Sequence, residues 1–200
     1  MCGIAGIFGV ERLVKPEECV RRMTQAMAHR GPDAEGVYSG KNIFLGHRRL
    51  SIIDLNAASN QPFTSADGRY TLVYNGELYN YKSIKTELSE FEFRTDSDTE
   101  VVLFAFIKWG MKALQMFNGM FAFAFWDNED EKLWIGRDRL GIKPLYYSNV
   151  NQSLVFASEL RSLLSTGLVK PKIDESSLVD YLRYQTVHAP KTMVEGVFML

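Results

Sequence analysis

A cysteine at the second position could act as a nucleophile without a partner from elsewhere in the chain. Removal of Met1 would leave Cys2 with a thiol and a primary amine on the same residue. An α-amino group has an ordinary pKa of about 7.7 to 8.0, so a neutral fraction exists near pH 7 and can act as a base. The simpler alternative is a small buried residue near a chain end, and position alone favours it. The residues that accompany Cys2 therefore decide between the two interpretations.

The pair Asn75–Gly76 could stabilise negative charge on a reacting oxygen. It follows Tyr70 to Tyr74, an aromatic and branched segment that is typical of a strand. Between two strands, Asn-Gly ordinarily forms a tight hairpin turn, but residues 82–90 have the apolar spacing of a helix and favour a loop instead. In the functional interpretation, the Asn75 amide and the Gly76 N–H donate to an oxyanion. Losing one such donor typically costs about 3 to 4 kcal/mol of transition-state stabilisation.

Two charged residues could hold an amino acid by both of its backbone charges. Arg49 follows a predicted strand, where its guanidinium could grip a carboxylate through two parallel hydrogen bonds. Asp98 lies in the first turn of a predicted helix and could hold an ammonium group. Simpler alternatives stay open, because a lone arginine is usually solvated and an acidic residue in a first turn offsets the helix dipole.

Composition and charge exclude several classes of function. The 200 residues are 46% hydrophobic, enough for one well-buried domain, and the 23 basic and 24 acidic residues nearly balance. Without bulk charge, we expect no nucleic acid and no membrane as a partner. Two cysteines, Cys2 and Cys19, are too few for the disulfide framework of a small secreted protein, which favours the cytoplasm. The apolar segments 1–10 and 116–126 lack the features of a signal peptide or a membrane span.

Two helices are predicted from spacing and capping signals. Residues 16–28 begin with a proline and carry apolar side chains at helical spacing. Ser97 and Glu100 are spaced as a capping box, which predicts a helix that begins there and continues to Trp109.

The strands are predicted to form antiparallel sheets. In residues 120–126, phenylalanines alternate with alanines, as in a strand that is buried on both faces. A polar turn and residues 133–136 follow, which predicts a hairpin, and residues 145–158 predict a second hairpin with its turn near 149–152. Strands connected by hairpins, with amphipathic helices between them, favour the α+β class.

Six motifs occur in an order that is typical of one family. They are MCGIAGIFG, HRGPD, GHRRLSIIDL, YNGELYN, SDTE and GRDRLGIKPLYY. With these motifs the chain resembles the class II glutamine amidotransferases, most closely the glutaminase domain of asparagine synthetase, from Cys2 to about Leu200. The resemblance implies the N-terminal nucleophile hydrolase fold, a four-layer αββα sandwich of two antiparallel sheets covered by helices.

The resemblance also implies a role for each candidate site residue. Cys2 would be both nucleophile and base, hydrolysing the side-chain amide of L-glutamine to glutamate and ammonia through a thioester. No metal and no organic cofactor is expected in this chain. The other implied roles are the oxyanion hole for Asn75 and Gly76, carboxylate binding for Arg49, pocket lining for Leu50, Ile52 and Ile53, and amino-group binding for Glu77 and Asp98.

A longer parent enzyme is implied as well. An asparagine synthetase uses ATP in a domain with an SGG-x-D-S pyrophosphate loop, and neither this loop nor a Walker loop occurs here. We therefore expect ATP and magnesium only in a C-terminal synthetase domain beyond Leu200, with residues 174–200 as the closing segment that leads toward it. The ammonia acceptor stays open between aspartate and a carboxylate on a sugar or a secondary metabolite.

Three further alternatives stay open. Phosphoribosyl and hexosamine amidotransferases share the N-terminal cysteine and the Asn-Gly pair, although HRGPD, RRLSIIDL and YNGELYN favour asparagine synthetase. A non-catalytic domain of the same fold is the alternative if Met1 is retained, because the Cys2 nitrogen is then an amide. A homodimer is also left open. HRGPD and GRDRLGIKPLYY are predicted to act mainly as structural support.

Overall fold

Ten strands and five α-helices make up the chain. The computed structural model describes the backbone of residues 1–200 and every side chain except that of Arg12. The strands are β1 (Gly3–Phe8), β2 (Ala34–Ser39), β3 (Ile43–Arg49), β4 (Phe63–Thr64), β5 (Tyr70–Leu78), β6 (Gly119–Asp127), β7 (Lys132–Arg137), β8 (Tyr146–Val150), β9 (Ser153–Ala157) and β10 (Val197–Met199). The helices are α1 (Pro16–Ala26), α2 (Tyr81–Thr86), α3 (Asp98–Trp109), α4 (Leu160–Ser165) and α5 (Glu175–Tyr184).

The strands form two sheets in which every described pairing is antiparallel. One sheet has the order β10-β8-β9-β1-β3-β2, and the other has the order β4-β5-β6-β7. In the first sheet β1 pairs with β3 on one side and with β9 on the other. In the second sheet β5 and β6 are paired along their whole length, from Tyr70 opposite Asp127 to Leu78 opposite Gly119. The predicted antiparallel organisation is confirmed.

Helices cover the outer faces of both sheets, so the fold has four layers. α1 and α4 pack on the first sheet, α3 packs on the second, and α2 packs beside α3. One apolar core lies between the sheets and includes Ile4, Val73 and Trp126, while each outer face has a core of its own beneath its helices. Each sheet is therefore buried on both faces. The predicted α+β class and αββα layering are confirmed.

The alternating side chains of β6 explain why its two faces differ. Phe121, Phe123 and Phe125 point toward α3 and join the outer core, where Phe106 of α3 packs against the rings of Phe123 and Phe125. The alanines and Trp126 point into the layer between the sheets. Small alanine side chains let the backbones of the two sheets approach each other, as period-two alternation on a doubly buried strand allows.

Most predicted elements occur close to their expected bounds. α1 ends at Ala26, two residues before the predicted end, and the hairpins β6–β7 and β8–β9 are both present. No helix in the part of the chain described here is long and apolar enough to cross a membrane.

Two local predictions were wrong. Asn75 and Gly76 lie inside β5, which continues to Leu78, because β6 pairs with them and leaves no loop there. Ser97 does begin α3 and accepts a hydrogen bond from the Thr99 N–H, but Glu100 does not complete a capping box. Its carboxylate instead accepts the N–H groups of residues 94 and 95, at 3.1 Å and 2.8 Å, because the chain before α3 folds back over it.

Glu100 should therefore stabilise the segment that leads into α3. It is fully buried, and its carboxylate also accepts the Thr95 hydroxyl at 2.7 Å. Glu100→Ala leaves several buried donors without an acceptor, so we expect a loss of about 2 to 4 kcal/mol in the free energy of unfolding. Urea denaturation measures the loss. Glu92→Ala, at an exposed position on the same segment, is the control and should change stability little, whereas equal stability of both variants would contradict the assigned contacts.

Candidate active site

All the residues predicted for the site line one cavity. Its volume is about 290 Å³, and it lies where the start of β1, the end of β3, the second half of β5 and the start of α3 meet. The predicted residues in its wall are Cys2, Arg49, Leu50, Ile52, Ile53, Asn75, Gly76, Glu77 and Asp98. Residues from four separate segments of the sequence thus reach the same space.

Antiparallel pairing of β1 and β3 places Cys2 in this cavity. Gly3 is opposite Arg48, so Cys2, which precedes β1, lies beside the residues that end β3. The Leu50 N–H donates to the Cys2 Sγ at 3.4 Å, and the Arg30 Nε donates to the Cys2 carbonyl at 2.9 Å. Contacts on both sides of the residue therefore hold the sulfur in place.

The HRGPD segment holds the two strand ends together. A Cβ atom at Gly31 would lie 2.4 Å from the Arg48 carbonyl carbon, so only glycine fits at this position. The Asp33 N–H donates to the Arg49 carbonyl at 3.0 Å, and the Asp33 carboxylate accepts the Ser51 N–H at 2.7 Å. With the bond from Arg30 to Cys2, these contacts agree with the predicted supporting function of the segment.

Asn75 presents an amide group that has no protein partner. The residue is 1% exposed, and its Nδ2 makes no hydrogen bond with any described residue. A buried amide nitrogen without an acceptor is costly, so such a group in a cavity wall is ready to donate to a bound molecule. At the next position a Cβ would lie 2.5 Å from the Tyr74 ring and 2.7 Å from the Met120 carbonyl, which leaves room only for Gly76.

The strand register directs the Gly76 N–H toward the same cavity. Phe121, opposite Gly76, bonds through its own N–H and C=O to Asp138 on the far side of β6, so the Gly76 N–H points away from β6. The N–H groups of Tyr74 and Leu78 share this direction, and they donate to the Gln61 Oε1 at 2.6 Å and the Asp98 Oδ2 at 2.9 Å. Gly76 lies between them, where β4 no longer covers the edge of β5.

Two acidic side chains form a negatively charged end of the cavity. Asp98 begins α3 and is 5% exposed, and Glu77 lies beside it on β5. Burial raises the pKa of Asp98 to about 6, and the charge of Glu77 adds to the increase, although N–H groups of Leu78 and Thr99 oppose it. The carboxylate is therefore ionised above about pH 6 and ready to hold a cation.

Arg49 is less free than the sequence predicted. It is the last residue of β3, 5% exposed, and its guanidinium donates to the carbonyls of Asp54 and Asn56 and to the Asn60 side chain. These bonds use three of the five guanidinium N–H groups and hold the loop 50–60 against the cavity. Two N–H groups remain for an anion. The predicted role in carboxylate binding is compatible with this arrangement. The same side chain also has a structural role, because it holds the loop.

Several residues of the cavity wall were missed. They are Met1, Ser59, Gln61, Tyr74, Ser97, Thr99, Met120, Ile142 and Lys143. Gln61 bridges two elements, because its Oε1 accepts from Tyr74 and its Nε2 donates to the Thr99 hydroxyl at 3.2 Å. No local pattern marks Gln61, whereas Lys143 lies in GRDRLGIKPLYY, a motif that the sequence already pointed to.

No histidine is placed to act as a base for Cys2. His47 is fully buried, its Nε2 is 3.1 Å from the Tyr74 carbonyl, and burial lowers its pKa to about 3. His29 is paired with Glu159 at 2.9 Å, outside the cavity wall. Burial raises the pKa of the Cys2 thiol, while the Leu50 N–H and the nearby cations oppose the increase. With Met1 attached, the cavity therefore holds an un-ionised thiol near neutral pH.

Comparisons with known proteins agree on one family. Residues 1–200 match the family model described as the glutamine amidotransferase domain. The chain is 39% identical to glutamine-hydrolysing asparagine synthetase 1 of Bacillus subtilis, over 96% of this chain and 31% of that protein. It is also 39% identical to asparagine synthetase B of Escherichia coli, over 82% of this chain and 30% of that protein. The chain thus spans about a third of the length of these curated relatives.

Solved structures show the same fold. The glutamine phosphoribosylpyrophosphate amidotransferase of Bacillus subtilis, complexed with ADP and GMP, superposes with a TM-score of 0.71 and 22% sequence identity. The superposition covers 83% of this chain and 44% of that one. At this identity the likeness concerns the fold alone.

The raised pKa of Asp98 predicts that its charge destabilises the fold at neutral pH. Its pKa is about 6 in the fold, against about 3.9 for an unperturbed aspartate, so the folded state binds the proton more tightly. Its contribution to stability is therefore lost as the pH rises from about 4 to about 6. Asp98→Asn should raise the free energy of unfolding at pH 7.5 by about 1 to 3 kcal/mol, and the gain should vanish near pH 4.

Chemical denaturation at both pH values tests this prediction. Asp96→Asn, at an exposed aspartate two residues away, is the control and should give no comparable gain. An Asp98→Asn variant that is less stable than the parent at pH 7.5 would show that the ionised carboxylate stabilises the fold.

Proposed function

Because the chain belongs to the glutamine amidotransferase domain family, we propose that it hydrolyses the side-chain amide of glutamine to glutamate and ammonia, with Cys2 as the nucleophile. The fold is that of the N-terminal nucleophile hydrolases, shared with the solved amidotransferases. One observation carries the proposal. In the same cavity wall as Cys2 lie the unpartnered Asn75 amide and the outward N–H of Gly76, which are two donors for an oxyanion.

The proposed reaction begins once Met1 is removed. The freed α-amino group of Cys2 takes the thiol proton, and Sγ attacks the side-chain carbonyl carbon of glutamine. The carbonyl oxygen becomes an oxyanion that accepts hydrogen bonds from the Asn75 Nδ2 and the Gly76 N–H. The amine returns the proton to the leaving nitrogen, ammonia departs, and water then resolves the thioester to glutamate. The base is the α-amine of Cys2 throughout, with no metal or organic cofactor from this chain.

Substrate selection is proposed to use both charges of the amino acid. The two remaining N–H groups of Arg49 would bind the α-carboxylate, and Asp98 with Glu77 would bind the ammonium. Leu50, Ile52 and Ile53 would line the space around the aliphatic part of the substrate. A carboxylate and an ammonium at fixed separation distinguish a free amino acid from a simple amide. The site would therefore reject analogues of glutamine that lack the α-carboxylate or the α-ammonium group.

The domain is proposed to supply ammonia within a longer synthetase. The relatives named above are glutamine-hydrolysing asparagine synthetases, and this chain spans about a third of their length. By analogy, a C-terminal domain would bind ATP and magnesium and activate aspartate as the ammonia acceptor. A different carboxylate acceptor, on a sugar or a secondary metabolite, is the alternative. The free thiols of Cys2 and Cys19 support a reducing compartment such as the cytoplasm.

Replacing the nucleophile tests the proposal most simply. Cys2→Ala should lower glutamine hydrolysis at least about 1,000-fold, because no other thiol lies in the cavity wall, while glutamine binding by calorimetry is retained. Cys19→Ala is the matched control, since Cys19 is buried on α1, and it should keep the parental rate.

Removal of Met1 and glutamine hydrolysis have to be measured on the same protein sample. Intact-mass spectrometry should find active protein without Met1, and protein that retains Met1 should be inactive because its Cys2 nitrogen is an amide. Protein that lacks Met1 but releases no glutamate or ammonia from glutamine would contradict the proposal and favour a non-catalytic domain of the same fold.

A further inference from the structure

Four charged side chains line the cavity, and one of them has no assigned function. Arg49 and Lys143 are cationic, and Glu77 and Asp98 are anionic. The zwitterionic substrate of the proposed reaction would use Arg49 for its carboxylate and the two acids for its ammonium. Lys143 is then the one charge that the bound amino acid does not neutralise.

Lys143 is buried without a counter-charge. It is 5% exposed, and its ammonium makes no hydrogen bond or ion pair with the side chains and backbone described here. An unpaired cation in a cavity wall is available to a negative charge that forms during function.

A tight loop fixes Lys143 next to the strands that carry the oxyanion donors. The Asp138 carboxylate accepts the N–H groups of Ile142 and Lys143, each at 3.0 Å, and that of Phe121 at 3.2 Å. Phe121 is directly opposite Gly76 in the β5–β6 pair. Burial opposes ionisation of Asp138, but the accepted N–H bonds outweigh it and lower its pKa, so its carboxylate holds the loop across the neutral pH range.

The Cys2 sulfur lies in the same cavity wall as Lys143 and develops negative charge in the proposed reaction. Lys143 and Arg49 both act to lower the pKa of the Cys2 thiol, against the larger effect of burial. Arg49 already donates three hydrogen bonds to the loop 50–60 and would take the substrate carboxylate. Among the side chains of the cavity wall, the cation that remains available to the sulfur when glutamine is bound is Lys143.

On the basis of the proposed glutamine hydrolysis, we propose that Lys143 is a positioning residue whose ammonium stabilises negative charge on the Cys2 sulfur. The Sγ–H proton moves to the α-amino group of Cys2, and Lys143 keeps all of its own protons. The thiolate and the thioester-forming step are thereby favoured by a fixed charge that takes no part in proton transfer. The same charge favours the thiolate as the leaving group when water resolves the thioester.

The pH dependence of thiol alkylation tests this inference directly. The protein is prepared without Met1 in a Cys19→Ala background, so that iodoacetamide reports on Cys2 alone, and the alkylation rate is measured from pH 5 to pH 10. Lys143→Met should move the midpoint of the rate profile upward by about 0.5 to 1 pH unit, and Lys143→Arg, which keeps the positive charge, should stay close to the parental midpoint. Lys170→Met, which removes an exposed lysine, should leave the midpoint unchanged.

The stability of each variant separates an electrostatic effect from unfolding. Since Lys143 has no partner, Lys143→Met should fold with a Tm at or above that of the parent, and Lys143→Gln provides a second neutral variant. An unchanged midpoint in a folded neutral variant would overturn the inference, and so would an equal shift in Lys143→Arg. Failure of the proposed function would appear separately, as absence of glutamine hydrolysis in the parent protein without Met1.

Discussion

The site depends on an edge of β5 that lies inside the protein without a neighbouring strand. β4 covers β5 only at Thr71 and Leu72, so the N–H groups of Tyr74, Gly76 and Leu78 need other acceptors. Buried backbone donors are almost always satisfied. Gln61 and Asp98 supply acceptors at the two outer positions, and the middle position is left to the cavity. A short β4 is thus the structural reason why the Gly76 N–H has no strand partner and is free for the substrate oxygen that we propose.

This arrangement requires charged and polar groups to be buried where they reduce stability. Asp98 is held with a raised pKa, Lys143 has no partner among the described residues, and the Asn75 amide has no acceptor. The fold compensates with an extensive apolar interior in three clusters, one of them rich in stacked phenylalanine rings around Phe106. Strained or unsatisfied groups that persist in a well-packed fold are typical of functional sites, where the bound molecule completes them.

Local patterns in the sequence predicted the elements well and the site contacts less well. The spacing of Val20 and Met23 marks α1, and the phenylalanine–alanine alternation marks β6, because each pattern reports a nearby face of one element. The position of Asn75 within a strand was missed, since it depends on pairing with residues more than 40 positions away. Glu100 was assigned to the wrong donors for a similar reason, because the preceding chain folds back on it.

The candidate site was identified mainly through the order of motifs. That order grouped Cys2, Arg49, Asn75 and Asp98, and the sheet register brings them to one cavity. Gln61 and Lys143 could not be assigned from the sequence, because their importance comes from what they contact or fail to contact. A glutamine that bridges two elements and a lysine without a partner look ordinary until the surrounding strands are in place.

The central claim is that the Asn75 amide and the Gly76 N–H stabilise an oxyanion formed by attack of Cys2. The most direct test is the steady-state rate of glutamine hydrolysis by Asn75→Ala in protein that lacks Met1, with Asn149→Ala at an exposed position of β8 as the control. Loss of one oxyanion donor predicts a kcat about 100- to 1,000-fold lower, with KM changed only a few-fold. A variant that keeps the parental kcat would contradict the claim, as would a loss that appears only in KM.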